Sequence, residues 1–304
     1  MYARIAFSLA AAIGMAGCVA PSASMPLADA APARQAWVDR CSAFDDWDKP
    51  GPPFRIYGQT YYVGTCGISS ILVAARDGLI LIDSGTDEGA KIVLDNIRSL
   101  GFDPRDVAVI LMSHEHFDHA GGMARLQAAT GATVVASEAA IPVLRSGLVS
   151  PQDPQAKSGH PAFPPVTGET RAIGDYSARS FAGRTFFPIA TPGHTLGATS
   201  WRWQDCEEGV CKTIVYVDSL NPISSDDYRF SDHPDLVTAF RAGIENVATS
   251  ECDIVLAPHP GATKLRDRLA GTAPLIDPDR CAAYARGVGA KLDARLAAED
   301  AGNE

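Results

Sequence analysis

The sequence has no surplus of positive charge: Lys and Arg total 26 against 36 Asp and Glu, a formal −10. That argues against a nucleic-acid partner, which usually demands a basic face, and otherwise says only that charge keeps the chain soluble. None of the seven cysteines belongs to a C-x-x-C pair, which argues against cysteine-held zinc. Beyond the N-terminal run, no apolar stretch is long enough to cross a bilayer. The H-E-x-x-H motif of helical zinc proteases is missing as well, because Asp118 stands four residues after His114. No internal repeat of short period is visible.

What is present fits one large domain or two moderate ones: 304 residues, 46% hydrophobic and 20% charged. Met1 to Arg4 makes a short basic start, and Ile5 to Met15 is an apolar run of secretory-signal length. It ends in Met15-Ala16-Gly17-Cys18, which reads as a bacterial lipoprotein processing site with Cys18 as the lipid-bearing residue. An ordinary signal cut after Ala23 or Ala30 is the alternative. The boundaries expected are a signal at 1–17, a flexible Ala/Pro/Ser-rich tether at 18–40, a folded domain at 41–298 and a frayed tail at 299–304. Periplasmic location follows, with outer-membrane anchoring if Cys18 carries lipid.

Six cysteines remain after Cys18, an even count that suggests disulfides in an oxidising compartment. Sequence alone does not choose among the pairings. Proximity suggests Cys206–Cys211 across a polar hairpin segment, leaving Cys41–Cys66 and Cys252–Cys281.

Short strands are expected at 54–57, 61–63, 107–112, 133–136, 185–190, 200–203, 213–217 and 253–256. A hairpin over 69–82 should close at Arg76-Asp77-Gly78, since Asp-Gly is a strong turn signal. Apolar periodicity places helices at 90–100, 123–129, 234–247 and 279–296, and the proline-rich 147–168 stretch reads as a surface loop. Strands and helices mix throughout, which defines an α/β domain with helices covering sheet faces.

The chemistry concentrates in His114-Glu115-His116-Phe117-Asp118-His119, directly after the strand at 107–112. Strand ends are where α/β folds place sites. His114, His116, Asp118 and His119 are nitrogen and oxygen donors of the kind zinc prefers. Glu115 reads as structural. His194, in Thr191-Pro192-Gly193-His194, and His259, in Ala257-Pro258-His259-Pro260, also follow strands. Alone, either would read as a hydrogen-bonded structural histidine; beside the hexapeptide they read as ligands. Six donors are too many for one catalytic ion with an open position, so two ions fit the count. His160 and His233 fall in polar loops and read as surface residues. Asp83, at the end of the strand 79–82, is a candidate to orient a ligand histidine, with a plain turn role in Asp83-Ser84-Gly85 as the alternative.

His-x-His-x-Asp-His, the later Gly-His and the last strand-end histidine resemble the metallo-β-lactamase superfamily. Tyr62 to Ser69 and Tyr216-Val217-Asp218-Ser219-Leu220 are similar to its subclass B3. The resemblance implies an αβ/βα sandwich, two mixed β-sheets packed face to face with helices outside. It further implies one zinc on His114, His116 and His194, and a second on Asp118, His119 and His259. Asp118 would also orient the attacking hydroxide, and Ser219, with Asn221, would face the substrate carboxylate. The activity implied is hydrolysis of the β-lactam amide bond by zinc-activated water, with a small-molecule substrate and a monomeric enzyme. Two rivals stay open: a thioesterase, lactonase or phosphodiesterase on the same scaffold, with Asp218 as a bridging carboxylate, and a non-catalytic zinc-binding lipoprotein.

Overall fold

The computed structural model describes residues 30–302. The signal, Cys18 and the first part of the expected tether lie outside the described residues. Seven strands line up in chain order in the first sheet: β1 (Phe54–Tyr57), β2 (Thr60–Tyr62), β3 (Ile71–Ala75), β4 (Gly78–Ile82), β5 (Val107–Leu111), β6 (Thr133–Ser137) and β7 (Thr170–Ile173). β8 (Arg179–Phe181), β9 (Arg184–Ala190), β10 (Thr199–Glu207), β11 (Val210–Tyr216) and β12 (Ile254–Leu256) make the second, in spatial order β12-β11-β10-β9-β8. Both sheets are mixed: β4, β5, β6 and β7 run parallel, as do β11 and β12, and the remaining pairs are antiparallel.

Period-two alternation decides which way each strand faces. On β4, Ile80 and Ile82 join the layer between the sheets, where Trp201, Trp203, Ile214, Tyr216 and Leu256 meet them from the second sheet. The alternate residues Leu79 and Leu81 face outward, against Val93, Leu94 and Ile97 of α2 (Gly89–Ser99) and Leu126 of α4 (Met123–Thr130). The second sheet repeats the scheme: Val215 and Val255 pack against Phe240 of α6 (Pro234–Ala248) and Ala285 of α8 (Arg280–Asp300). The result is the αβ/βα sandwich. Among the described residues no helix is long and apolar enough to cross a membrane.

All three expected disulfides are present. Cys206 and Cys211 are register partners on β10 and β11, so these strands run further into the polar segment than expected. Arg76-Asp77 is the two-residue turn of the β3–β4 hairpin, with Gly78 at φ 141°.

Two boundaries are corrected. Residues 30–40 are not tether but helix α1 (Ala30–Arg40), laid on β1. Trp37 is wholly buried, edge-on to Phe54 and Tyr62 at 5.9 and 5.6 Å, and Arg34 donates to the carbonyls of Arg55 and Ile56. A segment with so few apolar residues shows no periodicity, and it is held by one large side chain and by backbone acceptors elsewhere. At the other end, Glu299 belongs to α8 rather than to a frayed tail. Its buried carboxylate accepts from the backbone of Phe230 and Ser231 and from Arg295.

Trp37→Ala is expected to lower unfolding free energy by about 3–5 kcal/mol, as for other large buried aromatics. Denaturant unfolding with disulfides intact measures it, and a loss under about 1 kcal/mol would make residues 30–40 a dispensable tether after all.

Candidate metal centre

Five strands of the two sheets deliver the site from their C-terminal ends. β4 leads to Asp83, β5 to the hexapeptide, β9 to His194, β11 to Asp218 and β12 to His259. Asp118 and His119 lie in the short helix α3 (Phe117–Ala120), which starts after His116 in extended backbone at ψ 152°. That break separates His114 and His116 from the pair that follows.

The His194 turn depends on glycine. Gly193 sits at φ 145°, and a Cβ there would come within 2.2 Å of the Phe240 ring. Glu115 ties this turn to the hexapeptide: its buried carboxylate accepts from Thr195 Oγ1 at 2.7 Å and from the Gly197 amide at 2.9 Å. Burial raises its pKa, against the pull of those bonds. Its structural reading has this concrete form.

Donor atoms of His114, His116 and His194 all lie within 4.8 Å of one another, and all three residues are buried. Each ring has its second nitrogen engaged. His114 Nδ1 meets Asp218 Oδ1 at 2.8 Å, His116 Nε2 meets both Asp153 oxygens at 3.3 Å, and His194 Nδ1 meets the Asn221 carbonyl at 2.9 Å. That leaves His114 Nε2, His116 Nδ1 and His194 Nε2 free. His114 Nε2 is buried with no hydrogen-bond partner. Such pairing of the far nitrogen is how proteins fix the tautomer and orientation of metal-binding imidazoles. Burial holds the His114 and His194 pKa values well below the ordinary range, so both rings are neutral and able to donate a lone pair.

A second triad adjoins the first. His119 Nε2 lies 3.0 Å from Asp118 Oδ2 and 3.3 Å from His259 Nε2, and His259 Nε2 lies 3.4 Å from Asp118 Oδ2. Tetrahedral donors at about 2.0 Å from zinc stand about 3.3 Å apart, so these three atoms are spaced for one small ion. Donors from His114, Asp118 and His119 also fall within 4.8 Å of one another, which sets the triads side by side. Burial pushes the Asp118 carboxyl up, but His119 and His259 outweigh it and hold the group ionised well below the usual range.

Asp83 does not sit in hydrogen-bond contact with a ligand ring. Its Oδ2 is 3.9 Å from His119 Nδ1, while its close bonds are from Ser113 N, Ser113 Oγ and Tyr216 OH at 2.7, 2.6 and 2.7 Å. Burial pushes its pKa up to about 6. Ser219 has a buried Oγ without a partner, and Asn221 enters through its carbonyl. His160 corrects the surface reading: its ring is 5.0 Å from His116 and 5.4 Å from Phe117, at the rim of the centre. His233 is exposed and stacks on Tyr228. Asp153 went unread in the sequence, because a lone Asp in the proline-rich 147–168 loop carries no local signal that it will be buried against His116.

The sequence profile of the metallo-beta-lactamase superfamily matches residues 63–207. The solved structure of the MIM-2 metallo-beta-lactamase superposes with a TM-score of 0.83 at 49% identity, covering 88% of this chain and 98% of that one. On this fold and this cluster of donors, the chain belongs to the metallo-beta-lactamase superfamily. Its likeness runs to subclass B3: MEM-A1, a subclass B3 metallo-beta-lactamase from a soil metagenome library, matches at 42% identity and a TM-score of 0.78 over 84% of this chain and 99% of that one. A ribonuclease of Thermus thermophilus is 30% identical over 145 residues, and the chain spans 33% of the length of that curated relative.

Asp153→Ala is expected to weaken metal binding by about 10–100-fold, because His116 loses the group that orients it. Chelator competition on the purified protein reads this directly. Asp153→Asn, which keeps one acceptor oxygen, should recover part of the loss; unchanged affinity in the alanine variant would show that the contact does not position His116.

Proposed function

We propose that the chain is a zinc-dependent β-lactamase of subclass B3 type, hydrolysing the β-lactam amide bond of penicillins, cephalosporins or carbapenems. The observation that carries this reading is the pair of adjoining triads, three imidazoles beside a carboxylate and two more imidazoles, in a chain 49% identical to a metallo-beta-lactamase along nearly its whole length. His114, His116 and His194 would hold one zinc, and Asp118, His119 and His259 a second. A zinc pair in such a set supplies Lewis acidity and brings the pKa of water near neutrality.

The chain's own residues do the rest. Asp118 is the one carboxylate among the six donors, and it stands where the triads meet, able to accept a proton from water and orient it. Asp218, Asp153 and the Asn221 carbonyl keep three imidazoles aimed. Ser219 and Asn221 are the candidate contacts for the substrate carboxylate. A cavity of about 620 Å³ is lined by Asp153, Leu196 and Tyr228, and Asp153 links it to the back of the His116 ring.

Asp218 speaks against the rival with a bridging carboxylate. Its Oδ1 is engaged by the far nitrogen of His114, and the Leu220 amide points at its Oδ2 from 3.4 Å. Six convergent donors in a chain so similar to hydrolytic enzymes speak against a purely structural zinc protein. Three disulfides support export to an oxidising compartment. Periplasmic location, lipidation at Cys18 and a monomeric state complete the reading.

Nitrocefin and imipenem assayed beside a thioester and a lactone test the proposal. Both β-lactams should be turned over, and either a chelator or His194→Ala should cut the rate to about 1% or less. Turnover that survives chelation, or confinement of activity to the thioester or lactone, would reject it.

A further inference from the structure

Behind the 218–221 segment lies a second cavity, of about 260 Å³, between α8, the end of β12 and the turn at 260–264. None of the six metal-binding side chains lines it, and no Asp or Glu does. Three cations do: Lys264, Arg280 and Lys291. In a chain of formal charge −10, three cationic residues lining one hollow need a reason.

The usual one, neutralisation by neighbouring acids, is mostly missing. Asp277 stands 3.4 Å from Arg280 Nε, yet that nitrogen is buried with no hydrogen-bond partner. Asp218, beneath the cavity floor, is committed to His114. Lys264 and Lys291 have no ion pair among the described residues. A fourth cation stands behind the wall: Arg268, buried, donates to the carbonyls of Val255 and Leu275. Burial lowers its pKa to about 10, and the charge of Arg280 adds to the effect. Ser219 lines the same hollow with a buried, unpartnered hydroxyl, and Tyr284 closes its floor by donating to the carbonyls of Asp218 and Ser219 at 2.9 Å each.

We infer that this cavity binds a small oxyanion, a sulfate, phosphate or carboxylate group, on Lys264, Arg280, Lys291 and the Ser219 hydroxyl. Two lysines without an acid partner among the described residues, beside the orphaned Arg280 Nε and Ser219 Oγ, are what an oxyanion satisfies, through charge-assisted hydrogen bonds. The site adjoins two anchors of the metal centre: Asp218, the residue before Ser219, which meets His114, and Asn221, itself in the lining, whose carbonyl meets His194. The oxyanion is either free in solution or the carboxylate of the β-lactam itself, and only the second source rests on the function proposed above.

Sulfate, a weak zinc ligand, is the probe. Titrated into the zinc-loaded protein at constant ionic strength, it should shift the amide resonances of residues 219–221, 262–264 and 283–288. The double variant Lys264→Ala/Lys291→Ala, changed only at exposed side chains and expected to keep the wild-type Tm and zinc content, should bind sulfate roughly ten-fold more weakly or worse. Shifts confined to residues 114–119, or shifts of equal midpoint in the double variant, would overturn the inference. Initial rates assign the source. A rise in KM alone under sulfate makes the cavity the seat of the substrate carboxylate; a changed kcat, or no change in either constant, assigns it to a free oxyanion. The resonance titration reads binding whether or not the protein hydrolyses β-lactams, so failure of one proposal is distinguishable from failure of the other.

Discussion

Several imidazole lone pairs aimed at one point in a buried space repel unless something positive sits between them, and the rest of this structure is organised to hold that arrangement. Each ring of the three-histidine triad is braced from behind: His114 by Asp218, His116 by Asp153, His194 by the Asn221 carbonyl. Those braces spend the nitrogen that could otherwise have satisfied itself elsewhere, and they leave the inward nitrogen unpaired. An unpartnered buried nitrogen such as His114 Nε2 is costly in a folded protein unless a ligand takes it up. A metal ion is the kind of partner that this nitrogen suits.

The sandwich supplies the rigidity this needs. Two sheets pressed together through Trp201, Trp203 and Tyr216 fix the positions of five strand ends, and the ligand loops are short extensions of those ends. Glu115 then locks one loop to another across the sheets by reaching to Thr195 and Gly197. A buried carboxylate held by a hydroxyl and an amide is a specific latch rather than a general stabiliser, because its desolvation is offset only in this geometry. The cation-lined hollow behind Ser219 has the opposite character: of its three cations only Arg280 has an acid, Asp277, beside it, which is why it reads as a place for something else.

Much of this was visible in the one-dimensional sequence. His114 to His119 is so dense in donors that it stands out before any fold is known, and the continuous apolar run after Asp106 and the Asp77-Gly78 turn before Leu79–Ile82 marked the central strands without help. What failed to show were parts whose stabilisation is not local. Helix α1 has Trp37 as its only large buried side chain, so its periodicity is invisible although its packing is not. Asp153 and His160 lie in a proline-rich loop, where residue type predicts exposure, and both come to rest against His116. Asp83 looked equally suited to a ligand ring or a turn, and it turned out to bond Ser113 and Tyr216.

The sequence by itself determined the chemistry available: five histidines and an aspartate of the right hardness, at strand ends, in a chain with an even set of cysteines after Cys18. Only the tertiary structure decided which nitrogen of each ring faces inward, which carboxylates brace a ring and which joins the donor cluster, and where cations collect. The reason is physical. Identity and spacing fix what a side chain can do, but ring orientation and charge neutralisation depend on contacts between residues 30 to 140 positions apart, which no local pattern encodes.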